Sequence, residues 1–301
     1  MGWGYNFFMD QLSSLDSIAA EASRGELTFP TSVHASLKLQ RALSEPDCHI
    51  DAAARLVQAE PLLAARTVAI ANSVAYNRSG NDVTSVPAAV QRVGFRTLGA
   101  LAASVIVRQL ASEIRDPGLR KKADQLWTHS AHVAALAQVI ARRVSFVDPE
   151  TALFAGIVHE VGGFYLLSRA ESMPGLLDDN LDAWLDHGEA AIGRGVLHKL
   201  AVPAPVMDAI EALWDGMRAL PPETLGDTLL LANDLAPFPS PLFAPLGATT
   251  YAGAATIDFV FGHGTLKGVM EESGDEVKSL TSALLKKKKC PLGEERAEVQ
   301  N

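Results

Sequence analysis

The chain has 301 residues, enough for one large domain or two domains of ordinary size. Its net charge of −9 disfavours general binding to nucleic-acid phosphates, and its two distant cysteines exclude a disulfide framework or a CxxC zinc site. Hydrophobic residues make up 48% and aromatic residues only 6%, so packed helices are favoured over sheets and an all-α fold is predicted.

Breaks in the helical pattern divide the chain into four predicted parts. A leader helix is expected at 1–26, an N-terminal helical lobe at 27–115, a second helical lobe at 116–236, and a Pro-rich segment with helices and a charged tail at 237–301. The tail, KKKKCPLGEERAEVQN, is expected to be disordered because of its high charge.

Helix start and stop signals place the elements of the first lobe. Asp51 is expected to cap the helix AAARLVQAE, and Pro61 to open the next one, where a missing N–H does no harm. Ser85 is expected to cap a short helix that Gly94 stops. A buried helix is then predicted from Arg96 to about Ile114.

The sequence predicts no membrane segment. Its most apolar run, LGALAASVIV, is ten residues long, well short of the roughly 18 that a membrane span requires. The N-terminus lacks the basic region and small-residue cleavage site of a signal peptide. Together with the cysteine usage, these features favour a cytoplasmic protein.

The second lobe contains an adjacent histidine and glutamate inside an apolar run, LFAGIVHEVGGFYLL, which spans residues 153–167. Burying His159 and Glu160 is costly unless each has a partner, and a metal ion is one possible partner. A second histidine, His129, stands in the predicted helix KKADQLWTHSAHVAALAQVIARR.

Three stretches together resemble the HDOD family, the HD-related output domains of bacterial signalling proteins. The first is AEPLLAARTVAIANSVAYNRSGNDVTSVPAAVQRVGF, whose matching residues include Asn72, Ser73 and Gly94. The others are LWTHSAHVAALA followed by ALFAGIVHEVGGFYLL, and GRGVLHKLAVPAPVMDAI. The resemblance covers roughly 27–236. It implies an N-terminal helical lobe packed on a lobe related to metal-dependent HD phosphohydrolases, with members mostly regarded as non-catalytic regulators.

The resemblance also implies where a metal would have been held. His129 and His159 match the two histidines of an HD site, Glu160 replaces the expected aspartate, and the neutral Asn233 occupies the position of the last aspartate. Accessory histidines are replaced as well, by the residues Glu189, Ala212 and Leu213. We therefore expect a vestigial pocket of His129, His159, Glu160 and Asn233, with no metal, no cofactor and no catalytic residue. For Asn72 and Ser73, local backbone hydrogen bonds are favoured over ligand contacts.

Three functions remain open at this stage. The favoured one is a stand-alone signalling module that binds a protein partner, or a small ligand in the remnant pocket, in the control of motility, stress responses or cyclic-dinucleotide signalling. The alternative is a metal-dependent phosphohydrolase acting on nucleotides or cyclic dinucleotides. A DNA-binding regulator is the third, which the negative net charge opposes.

Overall fold

The computed structural model describes residues 3–29, 34–45, 47–173, 176–177, 184–217, 219–242, 257–262 and 264–286. Within them the fold is all-α, as predicted, and the strands form one short antiparallel hairpin, β1 (Val260–Phe261) with β2 (Gly264–Thr265). The helices are α1 (Trp3–Ser23), α2 (His34–Ser44), α3 (Ile50–Gln58), α4 (Pro61–Ala71), α5 (Val86–Leu110), α6 (Pro117–Ile140), α7 (Pro149–Val158), α8 (Val161–Ala170), α9 (Glu189–Lys199), α10 (Ala204–Asp215), α11 (Leu225–Leu235), α12 (Leu266–Glu272) and α13 (Gly274–Leu285). The charged tail lies outside the described residues.

Local signals explain most helix starts in the first lobe. Pro61 is the first residue of α4, and the Ser85 hydroxyl accepts a hydrogen bond from the amide of Ala88 at the start of α5. The prediction that Asp51 caps α3 was wrong. The cap position is occupied by His49 and the helix begins at Ile50, two residues earlier than predicted, so Asp51 lies in its first turn and can only interact with the helix dipole there.

Gly94 bends α5 instead of ending a helix. It has φ 75° and ψ 171°, a conformation available to glycine at little cost, and the helix continues on both sides of it. The predicted separate helix beginning at Arg96 is therefore the second part of α5, and it ends at Leu110 rather than near Ile114.

A buried arginine joins helices of both predicted lobes. Arg66 of α4 is 2% exposed, donates a hydrogen bond to the Ser104 hydroxyl of α5 at 2.9 Å, and places its guanidinium carbon 5.1 Å from the centre of the Trp127 ring on α6. Burial, and secondarily the charge of Arg108, lowers the pKa of Arg66 to about 9. A cation–π contact of this kind favours the two lobes remaining packed together.

One continuous cluster of buried apolar side chains extends through the described helices from α1 to α13. The division of the chain at residues 115–116 stays a prediction, since helices on either side of it pack together, as α5 does with α7. Helix α1 packs against α9, with Leu15 and Ile18 fully buried, and α13 packs on α6 and α4.

Two segments, Val86–Leu110 and Pro149–Ala170, are long and apolar enough to cross a membrane by length and composition alone. Most of each segment is buried inside the fold, 67% and 83% of the apolar window respectively, as is typical of core helices. Gly94 interrupts the first and the His159–Glu160 pair interrupts the second. The cytoplasmic location stays a prediction.

Glycine allows α7 to lie directly against α6. A Cβ atom at Gly156 would overlap the backbone of Ala134, whereas a Cβ atom at Gly99, in α5, would have open space around it. We predict that Gly156→Ala lowers the free energy of unfolding by about 1–3 kcal/mol through overpacking. The matched control Gly99→Ala should leave stability unchanged or raise it by up to about 1 kcal/mol, since alanine is the better helix former. Urea unfolding followed by circular dichroism measures both, and equal effects of the two substitutions would contradict the prediction.

Candidate metal centre

His129 comes from the middle of α6. The helix starts at Pro117, where the Asp116 carboxylate caps the amide of Leu119, and its second half is rich in alanine. Small side chains there let α7 approach closely, and the His129 side chain is held in the interior with only 1% exposure. The ring therefore faces the junction between α7 and α8 instead of solvent.

His159 and Glu160 occupy the short break between α7 and α8. His159 still donates its backbone N–H to the Ala155 carbonyl as the last turn of α7, while Glu160 has φ −98° and ψ 15° and precedes α8. Gly162, just after the break, lies so near α9 that a Cβ atom would come within 2.8 Å of the Gly193 Cα. The break turns both polar side chains inward, and their residues are only 5% and 8% exposed.

The three side chains meet in one buried cluster. The Nε2 atoms of His129 and His159 are 3.3 Å apart, and one ligand atom from each ring and from the Glu160 carboxylate lie within 4.8 Å of one another. Among the His, Cys, Asp and Glu residues that the structure describes, this is the group close enough to hold a metal ion. The sequence placed these three residues and Asn233 in one vestigial pocket. The structure brings the three together, and the vestigial character of the pocket stays a prediction.

The hydrogen bonds of the two rings fix their tautomers. Nδ1 of His129 is 2.7 Å from the Phe238 carbonyl, and Nδ1 of His159 is 2.8 Å from the Gly156 carbonyl. A carbonyl oxygen can only accept, so both Nδ1 atoms carry a proton. In neutral rings, both Nε2 atoms then present lone pairs to each other. A proton or a metal cation between them satisfies both nitrogens.

Burial controls the charges of the cluster. It lowers the pKa of His159 to about 3, with the nearby His129 as a secondary cause, so the His159 ring is neutral at physiological pH. Burial also raises the pKa of Glu160, while His129 and a hydrogen bond from Ser240 act in the opposite direction. Burial therefore opposes both a proton on His159 and a negative charge on Glu160.

A strap formed by residues 236–242 covers the cluster. The Phe238 carbonyl accepts the His129 Nδ1 hydrogen bond, the Ser240 side chain bonds Glu160, and a Cβ atom at Gly163 would come within 2.5 Å of the Leu242 side chain. Ser240 and Leu242 are buried. Sequence analysis did not place this segment at the site, because its three prolines and lack of periodicity indicate only a loop.

Glu189, at the start of α9, adds a second carboxyl group beside the cluster. Burial, and secondarily the charge of the neighbouring Glu160, raises its pKa to about 8. The sequence marked this position as the loss of an accessory histidine. In the structure this carboxyl group lies close to that of Glu160, and two carboxyl groups close together in a buried site disfavour each other's ionised forms.

The remaining predicted residues lie elsewhere or are half-buried at the edge of the core. Asn233 is half-buried near the end of α11. Asn72 ends α4 and pairs twice with the backbone of Val83, at 2.8 Å each way, and the Ser73 hydroxyl bonds the Ile70 carbonyl. Asn72 and Ser73 therefore use their side chains in hydrogen bonds to the backbone, the kind of bond expected for them, and Gly94 bends α5.

The donor set of the cluster fits a divalent transition metal. Two imidazole nitrogens with protonated Nδ1 atoms and a carboxylate are typical ligands, and a tetrahedral Zn²⁺ with bonds of about 2.0–2.1 Å separates two nitrogen ligands by about 3.3–3.4 Å, close to the separation seen here. His129, His159 and Glu160 would hold such an ion, which would supply Lewis-acid character.

The fold and this cluster define the class of protein, an all-α domain of the HD-related type. A family model described as the HDOD domain matches residues 29–215, and the chain belongs to that family. No curated protein matches the chain significantly.

Solved structures share the fold at low sequence identity. A Shewanella amazonensis SB2B protein named "putative metal-dependent phosphohydrolase" has a TM-score of 0.68 at 21% identity, over 92% of this chain and 99% of that one. An HDOD domain protein of unknown function from Geobacter sulfurreducens has a TM-score of 0.59 at 20% identity, over 89% and 96%. A Marinobacter aquaeolei VT8 protein named "putative signal transduction protein" has a TM-score of 0.51 at 18% identity, over 93% and 67%.

We predict that His159→Ala destabilises the fold. The change leaves a cavity and removes the partners of the His129 Nε2 and the Gly156 carbonyl, so the free energy of unfolding should fall by about 2 kcal/mol or more. His132→Ala is the matched control, because His132 lies one turn further along α6, is half-buried and bonds only the Thr128 carbonyl through Nδ1. An unchanged melting temperature for His159→Ala in calorimetry would refute the prediction.

A second prediction concerns the pH dependence of stability. The pKa of Glu189 rises from its ordinary 4.5 to about 8 in the fold, so the folded state binds this proton more tightly and stability is lost as pH rises between those values. The free energy of unfolding of Glu189→Gln minus that of wild type should therefore be larger at pH 8 than at pH 5. The control Glu113→Gln makes the same change at an exposed position. Urea unfolding in the presence of a chelator tests this, and a pH-independent difference would contradict it.

Proposed function

We propose that the protein is a non-catalytic HDOD signalling module that acts by binding a protein partner. The observation that carries the proposal is the strap across the His129–His159–Glu160 cluster. The strap forms hydrogen bonds with His129 and Glu160, and each of the three cluster residues is no more than 8% exposed. Hydrolysis of a phosphate ester requires the ester and an activated water beside the metal, and this enclosed arrangement favours neither.

The charge of the site supports the same proposal. Where an HD hydrolase would offer a last aspartate, this chain has the neutral Asn233, and beside Glu160 it has the carboxyl group of Glu189. An anionic phosphate ester entering the cluster would meet this second carboxyl group in a buried setting, which is unfavourable. Family membership and the signalling name of the Marinobacter aquaeolei neighbour are consistent with a regulatory role.

The partner and location belong to the same proposal. A protein partner is favoured over nucleic acid because the net charge of −9 repels phosphate backbones. We propose that the protein is cytoplasmic. Its outputs would be changes in complex formation in bacterial control circuits, such as those for motility, stress or cyclic-dinucleotide signalling.

A metal-dependent phosphohydrolase is the second candidate. The specific observation in its favour is the pair of facing Nε2 atoms, whose separation suits a shared metal ion. The name of the Shewanella amazonensis neighbour points in the same direction. Under this alternative, His129, His159 and Glu160 would hold the ion.

One experiment separates the two candidates. Protein purified without chelator is analysed for bound metal, then assayed with Mn²⁺ or Co²⁺ against bis(p-nitrophenyl) phosphate and cyclic di-GMP, beside His129→Gln. We expect wild type and variant to give the same background rate. Turnover that requires His129 would establish the hydrolase and refute the regulatory proposal. A pull-down from cell extract, with exposed-surface variants as controls, then identifies the partner.

A further inference from the structure

The strap is attached to the protein at the cluster and little along its outer side. Ala236, Ser240 and Leu242 are buried, whereas Pro237, Phe238 and Pro239 are exposed. A cavity of about 830 Å³ separates its outer flank from the first half of α6, and the lining includes Phe238, Pro239 and Pro241. The contacts that hold the strap are therefore those with His129, Glu160 and the neighbouring helix α8, together with the contact between the Phe238 and His132 rings.

Contacts of this kind fix the orientation of a metal-binding side chain by bonding the atom that does not face the metal. A histidine that binds a metal through one ring nitrogen is oriented by a hydrogen bond from its other nitrogen, often to a backbone carbonyl. The Phe238 carbonyl provides that bond to His129 at 2.7 Å and leaves Nε2 directed at His159. Ser240 holds the Glu160 carboxyl group in the same way.

We propose that the strap and a divalent cation in the His129–His159–Glu160 cluster stabilise each other, so that cation binding orders residues 236–242. A cation on Nε2 polarises the ring and strengthens the Nδ1–H bond to Phe238, and by thermodynamic reciprocity an ordered strap raises the cation affinity. The inference rests on the proposed regulatory function, to which it adds an input, the cation, and a responsive surface, the exposed side of the strap.

The exposed side of the strap is suited to recognition by a partner protein. Phe238 is 52% exposed, and its ring also contacts His132 edge-on with centroids 5.3 Å apart. Pro237, Pro239 and Pro241 lack N–H groups and restrict the backbone, so the segment passes between an ordered and a released state with a small entropy difference. A weakly bound cation is then sufficient to shift the population.

The test is a Co²⁺ titration of the metal-free full chain, followed by visible absorption. Wild type is compared with Ser240→Ala, with the conservative Ser240→Thr, and with the control Ser112→Ala, an exposed serine bonded only to the Gln109 carbonyl. We expect Ser240→Ala to weaken Co²⁺ binding about tenfold or more, as substitutions of residues that hydrogen-bond metal ligands usually do. Ser240→Thr keeps the hydroxyl and should restore most of the affinity. Ser112→Ala should bind Co²⁺ as wild type does. Circular dichroism verifies that each variant is folded.

A second measurement reports the strap itself. Hydrogen–deuterium exchange of the peptide containing residues 236–242 should slow when Co²⁺ is added to wild type and respond much less in Ser240→Ala. Absence of Co²⁺ binding, or equal affinity of wild type and Ser240→Ala with no change in strap exchange, would overturn the proposal. Since no substrate is present, these results are independent of the hydrolysis assay, whose turnover would instead refute the non-catalytic function.

Discussion

The site depends on one unusual contact, the approach of two imidazole Nε2 atoms to 3.3 Å in the protein interior. Each ring has its other nitrogen committed to a backbone carbonyl, so neither can turn over to relieve the contact without breaking a buried hydrogen bond. The two facing Nε2 lone pairs are therefore unsatisfied unless a proton or a metal cation lies between them. The carboxyl group of Glu160 nearby favours a positive charge there, and the surrounding apolar helices exclude the water that would otherwise screen it.

The backbone brings these groups together by interrupting a helix at the right residue. Had α7 continued through residues 159–160, the two side chains would point about 100° apart around one helix. The break between α7 and α8 allows both to face His129 instead. Gly156 and Gly162 make the break tolerable, because they let the flanking helices lie against α6 and α9 without a side chain between them.

Sequence patterns predicted the fold and the three cluster residues, since helix periodicity and the spacing of family motifs are local properties of the chain. They did not predict Ser240 or the Phe238 carbonyl, because the strap is about 80 residues from Glu160 in sequence and its proline-rich composition specifies no partner. Asp51 was misplaced by two residues as a helix cap for a related reason, since His49 occupies the cap position. Cap preferences identify the neighbourhood of a helix start, while packing selects the first residue.

The proposed combination of a cation site with no hydrolysis is consistent with the chemistry of the cluster. The lone pairs of the two Nε2 atoms and the Glu160 carboxyl group are donors for a divalent cation, and a cation that they coordinate offsets part of the cost of burying its charge. Adding a phosphate dianion would place negative charge beside Glu189, whose own ionisation burial already opposes. The proposed cation site and the proposed absence of hydrolysis are therefore compatible, because the same residues can coordinate a cation while disfavouring an anionic phosphate ester beside it.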